Sequence, residues 1–187
     1  MKSALAMATV GMLAAAPFAQ AGSARPVERF SAFAVDLAAP YGASTALVNI
    51  DIVRWSTPEE LENLKAVFAE GGEDALLDAV RDTKRVGSIR TTNTLGHDLR
   101  FAFQTALPDG ARRIVIGTDR RTGFYETANR TRSLDYPYSV IEMRVDANGK
   151  GQGRLISAGR MMEFGENVEI ENYSTTPIRL MQVKAGK

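Results

Sequence analysis

Val145-Asp146-Ala147-Asn148-Gly149-Lys150-Gly151-Gln152-Gly153-Arg154-Leu155 admits two readings that lead to different proteins. Asp146, Asn148 and Gly151 fall where the first, third and sixth positions of an EF-hand calcium loop would fall. Such a loop also needs oxygen ligands at its fifth and twelfth positions, the last a bidentate glutamate. Those positions hold Lys150 and Ser157. An ammonium group would bring positive charge to the ion, and a serine cannot replace a carboxylate. The other reading is a tight turn at Asp-Ala-Asn-Gly-Lys, with Gly149 in the left-handed region, joining two antiparallel strands. This reading fits the flanks, because Tyr138–Val145 (YSVIEMRV) and the segment from Gln152 to about Gly159 have strand composition rather than helical periodicity. Gly149, Gly151 and Gly153 do not form a dinucleotide cradle either. That motif has G-x-G-x-x-G spacing and opens a helix. Alternating glycines on one strand face instead allow a neighbour or a sharply bent strand to approach closely.

With that stretch read as a hairpin, strands dominate the chain. Arg29–Leu37 (RFSAFAVDL) places Phe30, Ala32 and Ala34 on one face and Phe33, Val35 and Leu37 on the other. Thr45–Trp55 alternates Val48, Ile50 and Ile52 against Asn49 and Asp51, the pattern of a half-buried strand. Val86–Thr91 is a further strand. Asp98–Thr105 reads as Leu99, Phe101 and Phe103 opposed to Arg100, Ala102 and Gln104. Pro108-Asp109-Gly110 turns this strand back into Arg112–Thr118. Asn167–Asn172 and Pro177–Lys184 close the chain.

The helical signal is confined to 57–82. Thr57 is a helix cap, Pro58 takes the first helical position, and Glu60 completes a capping box. Leu61, Leu64, Val67 and Phe68 recur at helical spacing up to Gly71-Gly72, and a second short helix over Glu73–Arg81 buries Leu76, Leu77 and Val80. Trp55 is expected to join this hairpin to the sheet. The expected fold is therefore α+β. It is a mainly antiparallel sheet of about nine strands, barrel-like or strongly curled to remove exposed edges, with a helical hairpin between the second and third strands.

The first 21 residues read as an export signal. Lys2 precedes an Ala-rich apolar run, Ala4–Ala16, and Ala19-Gln20-Ala21 fits the small-x-small cleavage pattern. Cleavage after Ala21 leaves residues 22–187 as one domain in the periplasm or the medium. No twin arginine precedes the run, and no second run is long enough for a transmembrane helix. The chain has no cysteine, which removes a lipid anchor, disulfides and thiol chemistry together. Without Lys2 the chain carries 22 basic and 22 acidic residues, a balance that gives no general pull toward nucleic acid or an anionic membrane.

Few residues offer catalysis. His97 is the one histidine, no G-x-S-x-G elbow supplies a serine, and a zinc site of several histidines is excluded. No catalytic residue, metal ligand or cofactor is assigned. The long connection Asp119–Pro137 (DRRTGFYETANRTRSLDYP) is the best functional candidate. Arg120 and Arg132 suit an anionic group, and Phe124, Tyr125 and Tyr136 suit a planar or apolar one. Together with Phe101 and Phe103 they define an expected site for a small apolar or aromatic ligand inside the sheet or at its mouth. The alternative is an envelope protein that meets a protein partner, with a barrel filled by its own side chains. A carboxylate-based hydrolase using Asp119, Glu126 or Asp135 ranks last.

The chain also resembles a group of small exported bacterial proteins of unknown function. The resemblance is carried by Arg54-Trp55-Ser56-Thr57, Ile89-Arg90-Thr91, Arg112–Ile116, Thr118-Asp119-Arg120, Ser133–Pro137, the Gly149/Gly151/Gly153 series and Glu171-Asn172-Tyr173. It covers most of the chain after about Ala46. It implies a shared fold and one intact exported domain, and it brings no activity or site residue with it.

Overall fold

The computed structural model describes residues 25–37, 43–91, 96–120, 135–165, 168–173 and 176–186. The expected signal segment 1–21 lies outside them. Ten strands and one helical element follow in the order β1 (Glu28–Asp36), β2 (Ser44–Ile52), α1 (Pro58–Asp82), β3 (Gly87–Thr91), β4 (His97–Leu99), β5 (Phe101–Ala106), β6 (Arg112–Thr118), β7 (Tyr138–Val145), β8 (Lys150–Phe164), β9 (Val168–Asn172) and β10 (Ile178–Gly186). All pairings are antiparallel. Nine strands form the ladder β4-β3-β2-β1-β10-β8-β7-β6-β5, and β9 pairs with the far half of β8.

The two ends of this ladder meet. Only Arg100 separates β4, which pairs with β3, from β5, which pairs with β6. Backbone bonds continue across the joint, from Val86 N–H to Leu99 O (2.9 Å) and from Arg100 N–H to Gly117 O (2.8 Å). The sheet is therefore a nearly closed, α+β barrel with its helix between the second and third strands, as the periodicity leads one to expect.

The joint at Arg100 changes one expectation. Leu99, Phe101 and Phe103 do not share a face. Leu99 and Ala102 belong to the barrel core, whereas Phe101 packs outside beneath α1 with Phe103 against it. One irregular residue flips the period-two alternation, which a reading that assumes continuous pleating cannot register.

The hairpin at the opening stretch forms as its sequence demands. Asp146 Oδ1 accepts from the backbone N–H groups of Asn148 (2.8 Å) and Lys150 (2.9 Å), and Gly149 takes φ 75°. The carboxylate that a calcium ion would require is thus consumed by the turn. The strand after it runs much further than expected, to Phe164. At Gly153 an added Cβ would collide with the Glu142 carbonyl oxygen, so the glycine lets β8 close onto β7.

The helical hairpin expected over 57–82 is one element broken at Gly72, whose backbone leaves the helical region (φ 68°, ψ −156°). Its start is the anticipated capping box: Glu60 N–H donates to Thr57 Oγ1 (3.2 Å) and Thr57 N–H donates to Glu60 Oε2 (3.0 Å). The break is tied to the sheet. Glu73 accepts from Met161 N–H (3.0 Å) and Arg160 Nε (2.8 Å), and the Tyr138 hydroxyl donates to the Glu73 carbonyl (3.3 Å). Burial, foremost, pushes the Tyr138 phenol pKa well up and keeps it neutral.

Two apolar clusters result. Phe30, Ile50, Ile52, Val86, Leu99, Ile114, Ile116, Ile141, Met143, Leu155, Leu180 and others fill the barrel interior at 0–4% exposure, and Trp55 packs against them. Outside the wall, Leu64, Leu76 and Val80 of α1 meet Phe101, Val115, Tyr138, Val140, Met161 and Phe164. Each fully buried aliphatic or aromatic side chain stabilises by roughly 1.5–3 kcal/mol.

Candidate functional site

Only the base of the 119–137 connection is described, so Phe124, Tyr125 and Arg132, with Glu126, lie outside the described residues. Arg120 is exposed, and its backbone N–H donates to Thr118 Oγ1 (3.3 Å). The neighbouring Asp119 is engaged from the sheet side. It accepts from Arg100 Nε (3.1 Å), and Arg100 also reaches the Thr83 carbonyl (3.3 Å), which locks the β4–β5 joint to the end of α1. At the other end, Tyr136 donates to Glu171 Oε1 (3.1 Å) and stands edge-on to Tyr173, with ring centroids 5.3 Å apart. That hydrogen bond, with burial second, raises the Tyr136 pKa. Phe101 and Phe103 come together (centroids 6.5 Å), and Phe101 meets Phe164 edge-on at 5.4 Å. They do so beneath α1 rather than inside the barrel, and the Phe101 ring lies across Gly117. The structure thus gathers Phe101 with Phe103, and sets Tyr136 with Tyr173 and Glu171.

Among the described residues the carboxylates with displaced pKa values are Glu59, Glu60 and Glu142, and all three move down. Glu60 is held down chiefly by Arg54, 2.7 Å away. Burial alone would raise Glu142, but hydrogen bonds from Arg113 (2.6 Å) and Arg154 (2.8 Å) outweigh it. A general acid needs the opposite displacement. Among the described residues no group of three or more His, Asp or Glu side chains converges on a point where a metal could sit.

A different surface stands out, on the outside of β2, β1 and β10. Register places the outward residues in rows. Phe33 lies opposite Leu47 on β2 and Met181 on β10, which makes an apolar row across three strands. Phe33 is 48% exposed, Leu47 39% and Met181 49%. The row on one side holds Asn49, Ser31 and Lys184, with Arg90 beyond Asn49 and Lys150 beyond Lys184. The row on the other side holds Thr45, Val35 and Arg179, with Arg154 beyond. Beside Ser31 an open groove of about 330 Å³ is lined by Arg29, Asn49, Asp51, Arg90 and Lys184 among others.

Charge on this face is lopsided. Asp51 is shared by Arg29 (3.0 Å) and Arg90 (3.8 Å), and Glu142 is shared by Arg113 and Arg154. Among the described residues no carboxylate pairs with Arg179, Lys184 or Lys150. Two like-charged pairs face each other directly across β10 and β8, Lys184 with Lys150 and Arg179 with Arg154. Such pairs destabilise a sheet.

The chain matches no protein-family model, no curated protein and no solved structure.

Sequence reasoning passed over this face although one signal was present. Arg29–Leu37 is apolar on both faces, and a barrel strand needs only one for the core. The outward set is therefore surplus to the barrel core, and α1 packs over a different part of the wall.

Proposed function

We propose that this protein is an exported interaction module of the cell envelope that binds through the outer face of β2, β1 and β10. The observation that carries this reading is a contrast in filling. The barrel interior is occupied by the protein's own side chains, with Phe30, Ile50, Leu99, Ile116 and Leu155 each no more than 1% exposed, while Phe33, Leu47 and Met181 remain bare outside. The described barrel interior is packed with its own side chains, whereas an exposed apolar row rimmed by polar residues is the composition of a binding surface. Export rests on the Lys2, Ala4–Ala16 and Ala19-Gln20-Ala21 pattern, and the resemblance to small exported proteins agrees with it.

A photo-crosslinking residue introduced at position 33 tests this in living cells. A discrete adduct at 33, absent from an equally exposed control at position 81 on α1, supports the reading. Equal labelling at both positions contradicts it.

A small-ligand site at the base of the 119–137 connection is the second reading. It is favoured by the edge-on pair Tyr136–Tyr173 beside Glu171. Native mass spectrometry separates the two, since a reproducible extra mass lost on denaturation would promote the ligand site.

A further inference from the structure

We infer that the partner of this face is an anionic phospholipid surface, an inference that rests on the interaction reading above and names its partner. Three observations lead there. The first is charge. Arg179, Lys184 and Lys150 have no carboxylate partner among the described residues; Lys184 and Lys150 are held side by side across β10 and β8, and Arg179 faces Arg154, which shares Glu142 with Arg113. Repulsion of this kind is relieved by an external anion, and a second copy of the same cationic face would only add to it.

The second observation is arrangement. Successive outward positions on a strand are roughly 7 Å apart, two residues at about 3.3 Å each. The apolar row Leu47–Phe33–Met181 is thus flanked at that distance by Lys184 on one side and by Arg179 on the other. Apolar side chains in the middle with cations around them match the layering of a lipid interface, where rings and thioethers enter the acyl boundary and Lys or Arg stems rise to the phosphates. The groove beside this row, about 330 Å³, is lined by Lys184 together with Arg29 and Arg90, which share Asp51, so Lys184 is the cation there with no carboxylate partner among the described residues.

The third is projection. The bulge in β10 pushes its outward side chains away from the wall. The β1–β10 register shifts between Ser31 and Phe33, and Gln182 takes φ 51°, leaving Met181 and Gln182 both outward and exposed.

The balanced charge of the chain does not oppose this reading. Lipid association depends on the face presented, and attraction falls off within a Debye length, about 8–10 Å at ordinary salt.

The test is co-sedimentation of the processed protein, its N-terminus fixed by intact mass, with phosphatidylglycerol vesicles and with phosphatidylcholine vesicles. Binding to phosphatidylglycerol alone, weakened by raised salt, is expected. The double variant Phe33→Ser/Met181→Ser and the double variant Arg179→Glu/Lys184→Glu should each lower the affinity at least about tenfold. Arg81→Glu on α1 should bind as the wild type does. All variants alter exposed side chains, and circular dichroism confirms that each is folded. Equal binding to both vesicle types, or unchanged binding by both double variants, would overturn the inference. Absence of vesicle binding together with a protein adduct at position 33 would overturn the lipid assignment and leave the interaction reading standing. Absence of both would remove the two together.

Discussion

Two regions of the same barrel wall carry apolar residues on the outside, and they have opposite fates. Beneath α1, Phe101, Val115, Tyr138 and Val140 are sealed to 0–2% exposure. Across β2, β1 and β10, Phe33, Leu47 and Met181 are open to solvent at 39–49%. The first region is a second core that happens to lie outside the barrel. The second is apolar too, and none of the described elements covers it. The difference teaches that outward apolar residues in a barrel are not evidence of function by themselves. They become so where none of the described elements is committed to them, and where the surrounding charge is arranged at some cost to the fold.

The comparison can be broken most forcefully at the covered face. Phe101→Ala removes a ring that packs on Phe164, Phe103 and Gly117, and should destabilise by about 3–5 kcal/mol in urea unfolding. A loss below about 1 kcal/mol would mean that α1 does not form a true core with the wall. Thr57→Ala removes the cap that holds the start of α1, and should cost about 1 kcal/mol.

Glu142→Gln probes the ion pairs that border the uncovered face. Its folded-state pKa lies below the usual 4.5, so its stabilisation is complete above that value and is lost as pH falls through the folded pKa. The variant should therefore be less stable than the wild type at neutral pH, by about 1 kcal/mol, and the gap should close in acid. A gap that widens in acid would contradict the pairing with Arg113 and Arg154. The smallest effect is expected at Phe33→Ser, within about 0.5 kcal/mol of the wild type, as for other solvent-facing positions. A loss of several kcal/mol there would reveal that Phe33 is core and that the two faces do not differ.

Much of the fold was legible because it is governed by local rules. The strands Arg112–Thr118 and Tyr138–Val145 have the boundaries that their alternation and turns imply, and Thr57, Pro58 and Glu60 start the helix where the capping box puts it. What escaped depends on pairing between distant segments. The flip at Arg100 is invisible to a periodicity that assumes continuous pleating. The extension of β8 to Phe164 arises from its partner β9, not from its own composition. The row Leu47–Phe33–Met181 draws on both ends of the chain, and its flanking cations vanish in a net charge that sums to nearly zero. Of the expected site residues, Phe101 and Phe103 carried a real signal of burial, but their partner is α1.

The most direct measurement is methionine oxidation mapped by mass spectrometry, on purified protein and on intact envelopes. Three methionines report on the comparison: Met161, buried at 2% beneath α1, and Met162 and Met181, exposed at 54% and 49%. In the purified protein Met162 and Met181 should oxidise readily and Met161 slowly. In the envelope Met181 should become protected while Met162 stays reactive. Equal oxidation of Met181 in both preparations would contradict a role for the uncovered face in binding.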